Sequence, residues 1–229
     1  MATAVVARYR HGMRLAAVNR STPRLLELGG QRRRTAIAKV AVDGPVLVGP
    51  LGLEGDRVAS TRHHGGPDQA VYAYGVDDYR WWEAALGRPL EHAMFGENLT
   101  VDELGAEPLH VGDRLRVGRE VVLEVTSPRI PCATLAARVG DPQFVKRFAA
   151  AHRPGPYLRV IVTGPVQAGD EVVLDRSHRS ALSLVEAVDL FFDRRASADR
   201  LRAALAAPVA IRERADLEER LARIERRVP

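Results

Sequence analysis

Two short strands in this chain open in the same way. Gly112-Asp113 precedes Leu115 and Val117, and Gly169-Asp170 precedes Val172 and Leu174. Glycine takes turn conformations that other residues avoid, aspartate bonds nearby backbone, and alternating apolar residues mark a strand with one buried face. Other short apolar runs sit between turn residues: Ile37, Val40 and Val42, then Val46 and Val48 beyond Asp43-Gly44-Pro45, and the runs 70–74, 99–101, 121–125 and 157–162. Such strands predict a mainly β, α+β fold, a twisted and partly closed β-barrel with a few helices, rather than an alternating parallel sheet.

Helical signals interrupt this pattern. Asp77 is placed to cap a helix carrying Tyr79, Trp81, Trp82 and Leu86 and ending at Gly87, and Asp141-Pro142 opens one through Phe144, Val145 and Phe148. Beyond Ser180 the chain turns helical: Ser183 and Glu186 have capping-box spacing, Ser197 caps a second helix, and Ile211, Leu217, Leu221 and Ile224 mark a third. The expected division is an N-terminal extension over 1–17, the barrel over 18–176 and a small three-helix C-terminal domain over 177–229.

Charge narrows the class of ligand. The net charge is +5, Lys39 and Lys146 are the only lysines, and the first forty residues hold nine basic residues against Glu27 alone. A run such as Arg32, Arg33 and Arg34 is ordinarily a solvated face, yet guanidinium groups also suit bidentate binding of phosphate or carboxylate. A basic nucleic-acid-binding barrel is disfavoured, because the aromatic residues do not form an alternating stacking platform. One cysteine excludes an internal disulfide and an all-cysteine metal cage, and points to a reducing compartment. Arg8, Arg10 and Arg14 break up the apolar N-terminus and no later apolar run reaches membrane-spanning length, so a cytoplasmic protein without a membrane partner is expected.

Four segments hold residues suited to chemistry. In Thr126-Ser127-Pro128-Arg129-Ile130-Pro131-Cys132, two prolines stiffen the approach to the cysteine. A lone cysteine is most often a small buried hydrophobe, but an arginine three residues upstream favours the thiolate that ligates metals. One protein ligand cannot enclose a metal, so any metal here would bring most of its own ligands. The stretch Arg57, Arg62, His63, His64, Gly65, Gly66, Pro67 and Asp68 reads as a phosphate cradle or simply as a turn. Glu97 and Asn98 could hydrogen-bond a heteroaromatic ring or cap local backbone, and Tyr157 and Arg159 open a strand after Pro154-Gly155-Pro156.

In order, Gly52-Leu53-Glu54-Gly55-Asp56-Arg57, His64-Gly65-Gly66-Pro67-Asp68, Phe95-Gly96-Glu97-Asn98-Leu99, Pro128-Arg129-Ile130-Pro131-Cys132 and Gly155-Pro156-Tyr157-Leu158-Arg159-Val160 resemble the MOSC domain family. That family is named for the C-terminal domain of molybdenum-cofactor sulfurases, and the helical tail resembles its YiiM-like branch. The resemblance covers roughly residues 18 to 175. It implies a barrel holding the molybdenum–molybdopterin cofactor, with Cys132 as metal ligand and catalytic residue. Arg57, His64, Asn98, Ser127 and Arg129 would line the cofactor, Arg159 would meet its phosphate, and Lys39 and His63 would lie on the substrate side. The implied activity is reduction of N-hydroxylated compounds such as 6-hydroxylaminopurine, with a separate flavin or iron-sulfur reductase as electron donor. A non-catalytic cofactor or sulfur carrier would use the same residues, and homodimerisation stays open.

Overall fold

The computed structural model describes residues 9–59 and 65–226. Its strands are β1 (Tyr9–Arg20), β2 (Arg24–Leu28), β3 (Gln31–Thr35), β4 (Val40–Ala41), β5 (Val46–Gly49), β6 (Gly52–Leu53), β7 (Val71–Gly75), β8 (Leu99–Val101), β9 (Arg114–Val117), β10 (Val121–Pro128), β11 (Pro156–Val162), β12 (Gly164–Val166) and β13 (Glu171–Asp175). Its helices are α1 (Val76–Leu86), α2 (Ala133–Val139), α3 (Phe144–Ala150), α4 (Leu184–Phe192), α5 (Ala198–Leu205) and α6 (Ile211–Glu225).

The barrel runs β13-β9-β10-β11-β7-β8-β1 and closes because β1 pairs back onto β13. Closure leaves no free edge among these seven strands, and only the β7–β8 pair is parallel. The two Gly-Asp corners behave as the sequence predicts. Gly112 and Gly169 adopt φ 90° and 91°. Asp113 and Asp170 accept the amides of His110 and Gln167, each three residues back, at 2.9 Å. A Cβ on Gly112 would stand 2.3 Å from the His178 carbonyl oxygen, so that corner admits no side chain.

The N-terminal boundary differs from expectation. Residues 9–17, placed in an extension, belong to β1, which pairs Arg14 with Glu171 and Leu15 with Val101. The basic residues of the segment obscured its alternation: Met13, Leu15 and Val18 are buried while Arg14 points outward. Residues 1–8 lie outside the described residues. Strands also start before Ala36, since the arginine-rich stretch forms the β2–β3 hairpin, a two-stranded sheet of its own.

Two apolar cores share one strand. Val71 and Ala73 of β7 point into the barrel with Leu15, Leu99, Leu123 and Leu158. Tyr72 and Tyr74, on the opposite face, pack with Trp82 of α1, Leu135 of α2, and Phe144 and Phe148 of α3. Burial on both faces explains why this run reads as continuously apolar. Asp77 does not cap α1. Gly75 is the N-cap, and the Asp77 carboxylate instead accepts the Gly105 amide.

The C-terminal helices are stitched to the barrel. Ser183 and Glu186 complete the capping box of α4. Thr126 accepts the Ala210 amide at 3.2 Å, and Asp68 accepts the Ile211 amide that begins α6 at 2.8 Å. Among the described residues no helix is long and apolar enough to cross a membrane.

Candidate functional site

Cys132 is the N-cap of α2, a helix that the sequence reading did not anticipate. Pro131 fixes the backbone before it, and the Cys132 carbonyl accepts the Ala136 amide at 3.1 Å. Cys132 is partly exposed and packs at the margin of the second core.

Arg129, three residues upstream, is only 5% exposed. Its amide donates to the Gly155 carbonyl, its guanidinium sits 5.1 Å above the Tyr72 ring, and Nη1 donates to Tyr157 Oη at 3.4 Å. Burial opposes its charge, but Tyr157, Tyr72, Cys132 and Glu97 together outweigh that and raise its pKa. Tyr72 is buried and its phenol is held well above the usual range, first by desolvation, so it stays neutral. Two polar atoms on this segment are buried without a partner, Ser127 Oγ and Arg129 Nε. A bound polar ligand would satisfy both, since buried groups of this kind are rarely left unpaired.

A second group approaches from the barrel rim. Lys39 Nζ lies 2.5 Å from the Asp56 carboxylate, and their side chains are only 8% and 10% exposed. Asp56 also accepts the Ser21 amide at 2.7 Å and Asn98 Nδ2 at 2.9 Å. Burial lowers the Lys39 pKa and nearby Arg129 lowers it further, against the raising effect of Asp56. The Asn98 amide is fully committed. It also donates to the Asn19 carbonyl and accepts the Tyr72 amide, so it positions Asp56 and β7. Glu97 is completely buried, and Oε1 accepts from Tyr79 Oη, the Ala93 amide and Thr100 Oγ1, whereas Oε2 has no partner.

The structure thus brings together Cys132, Arg129, Ser127, Asn98 and Lys39. It commits Arg159 elsewhere: Nε lies 3.1 Å from Asp68 Oδ1, and Nη2 donates to the Pro208 and Val209 carbonyls. Those bonds tie the helical tail to the barrel. Arg159→Ala is expected to lower the Tm by about 5 °C, since charge-assisted bonds of this kind contribute about 1.5–3 kcal/mol. Bound cofactor per protein should not change; a loss of cofactor at unchanged Tm would reverse that assignment. The Arg57 side chain is exposed, and its backbone amide donates to the Ser21 carbonyl. His63 and His64 lie outside the described residues. Asp56 and Tyr72 were missed as site residues. The signal for Asp56 was its place beside Arg57 in the Gly-Asp-Arg motif, and for Tyr72 the aromatic alternation along β7.

A cleft of about 190 Å³ borders the same 153–156 segment and is lined by Asp78, Leu104, Leu109, Arg153 and Leu184, not by the groups around Cys132. Burial raises the Asp78 pKa from 3.8 to about 6 despite the Arg153 guanidinium 2.6 Å away. The folded chain therefore holds this proton more tightly than the unfolded one. Its contribution to stability is complete below the unfolded pKa and is lost as pH rises through about 6. The shift corresponds to about 3 kcal/mol. Relative to wild type, Asp78→Asn should gain about 5–10 °C in Tm between pH 4 and pH 7 by calorimetry; parallel Tm curves would remove Asp78 from this role.

The MOSC domain signature matches residues 60–173. The chain is 38% identical over 158 residues to the uncharacterized protein YflK of Bacillus subtilis, covering 69% of this chain and 71% of that protein. The chain belongs to the MOSC family. The crystal structure of YiiM from Geobacillus stearothermophilus superposes with TM-score 0.75 at 27% identity, covering 92% of this chain and all of that one. This places the MOSC protein in the YiiM-like branch and accounts for the seven-stranded barrel with its helices. A protein of Gibberella moniliformis named "Reductase" is 38% identical over 152 residues, which cover 64% of this chain but 26% of that protein. The MOSC family is associated with binding of the molybdenum cofactor.

Proposed function

We propose that this MOSC protein is a molybdenum-cofactor-dependent reductase of N-hydroxylated compounds, of which 6-hydroxylaminopurine is a representative. The observation that carries the reading is the environment of Cys132: a partly exposed cysteine at a helix N-cap, coupled electrostatically to the buried Arg129, on the segment that holds the unsatisfied Ser127 Oγ and Arg129 Nε. That donor set fits a polar, anionic group whose metal arrives with its own ligands and needs one soft ligand from the protein. When bound, the molybdenum–pterin cofactor supplies the two-electron reduction that converts a hydroxylamine to an amine and water.

The chain's own residues bind and orient. Cys132 would ligate the metal, its position set by Pro131 and the first turn of α2. Arg129 would hold negative charge beneath the ligand, and its stacking on Tyr72 limits how far it can swing. Lys39, lowered in pKa and held by Asp56, would present a proton to the departing hydroxyl oxygen at Nζ. The name of the Gibberella relative supports reduction. Electrons would come from a separate donor, by flavin or iron-sulfur chemistry.

Turnover and carriage are separated by one assay. Metallated protein, reduced with dithionite-treated viologen, should convert 6-hydroxylaminopurine to adenine, monitored by chromatography. Persistent inactivity of a fully loaded sample would favour the cofactor carrier.

A further inference from the structure

Resting on that reading, we propose that the β2–β3 hairpin is an anion-binding arm that makes the site prefer phosphorylated substrates, so that a nucleotide carrying the modified base is taken ahead of the free base. The hairpin flanks the site. Its base joins Arg24 to Thr35, four residues before Lys39, and its tip rests on α2, where a Cβ on Gly29 would be 3.4 Å from the Ala137 Cβ. Cys132 caps the near end of that same helix.

Strand alternation sorts the arginines into two sets. Arg24 and Arg33 share a face with Leu26, Leu28 and the buried Thr35, the face turned to the body, while Arg32 and Arg34 lie on the outer one. Arg24 depresses the pKa of Arg138 on α2, after the larger effect of burial, so the two guanidinium groups share one field. Glu97, whose Oε2 is buried and unpaired, acts electrostatically on Lys39, Arg129 and Arg138 alike. Arg138, the one charged residue of α2, thus shares Glu97 with Arg129 and Lys39 and also feels Arg24 of the hairpin.

The hairpin gathers four arginines on one two-stranded sheet. Several arginines elsewhere are matched to acids: Arg114 to Glu124, Arg116 to Asp175, Arg179 to Asp113, Arg202 to Glu225. Among the described residues none of Arg24, Arg32, Arg33 and Arg34 has an acidic partner within ion-pair distance, and the hairpin's one acid, Glu27, lies opposite Arg32. Arg33 donates to Gln31 and keeps a buried, unpartnered Nε. Unpaired like charges on a two-stranded sheet oppose folding. Phosphate, which takes paired guanidinium donors, relieves that repulsion.

The phosphate has two sources, the substrate or the cofactor, and the test separates them. Cofactor-free protein is titrated calorimetrically with adenosine 5′-monophosphate and with adenine. Wild type should bind the nucleotide at least about tenfold tighter at low salt, an advantage that shrinks as salt rises. Arg24→Gln/Arg33→Gln should bring the ratio of the two affinities close to one, and Arg24→Lys/Arg33→Lys should recover part of it, whereas Arg32→Gln/Arg34→Gln should keep most of the ratio. Equal affinities in wild type, an unaltered ratio in the inner-face variant, or an equal loss in the outer-face variant overturns the proposal. In the second arm, natively purified Arg24→Gln/Arg33→Gln should carry wild-type molybdenum and pterin; a loss would assign the arm to the cofactor's phosphate and also overturn it. The titration needs no metal, so its outcome stands apart from whether Cys132 binds molybdenum.

Discussion

Asp56→Asn is expected to lower the Tm by about 6–20 °C, the largest thermal effect of any single side-chain change around the site. It would leave the Lys39 ammonium, 8% exposed, without its counter-charge. Breaking a buried pair from one side costs about 3–5 kcal/mol, because the remaining charge is desolvated and uncompensated. Asn cannot replace the lost charge, although its carbonyl could still accept the Ser21 amide, and its amide group would face the Asn98 amide. Lys39→Met should cost much less, because Asp56 keeps the Ser21 and Asn98 donors. Thermal melts of the two variants check the asymmetry; equal shifts would mean that the ion pair is not the element holding the rim to β7.

Cys132→Ser carries the largest expected effect on chemistry. The side chain is partly exposed and caps α2 without a side-chain hydrogen bond, so the fold has little reason to respond. The Tm should stay within about 2 °C of wild type. Reductase turnover should fall on the order of 100-fold or more, since even indirect supports of a metal ligand are worth 10–100-fold. A variant that melts normally and still turns over at the wild-type rate would leave the thiol no part in the reaction.

The sequence made some of this legible and hid the rest for physical reasons. The barrel could be read because its corners are chemical: Gly112-Asp113 and Gly169-Asp170 demand a positive φ and a backbone-bonding carboxylate, and both corners form as read. The tail was equally legible, because Ser183 and Ser197 cap their helices locally. By contrast β1 was hidden by Arg14, an outward residue on a strand whose inward residues are apolar. The hairpin was hidden because nothing in a run of arginines distinguishes a solvated coil from a strand.

At the candidate site, the motifs mark Cys132, Arg129 and Asn98 along the chain but say nothing of their mutual arrangement. Asp56 and Lys39 meet across a sequence gap that no periodicity spans. The partners of Arg159, Asp68 and the carbonyls of Pro208 and Val209, could not be read because they come from two distant segments. Local chemistry survives translation into sequence, whereas pairing across the fold is set by topology.

In the proposed reading the Cys132 sulfur is bonded to molybdenum. X-ray absorption at the molybdenum edge, on natively purified wild type and Cys132→Ser loaded with cofactor, tests it most directly. Wild type should show one more sulfur in the metal's coordination than the variant. Identical sulfur counts in the two samples would contradict the assignment.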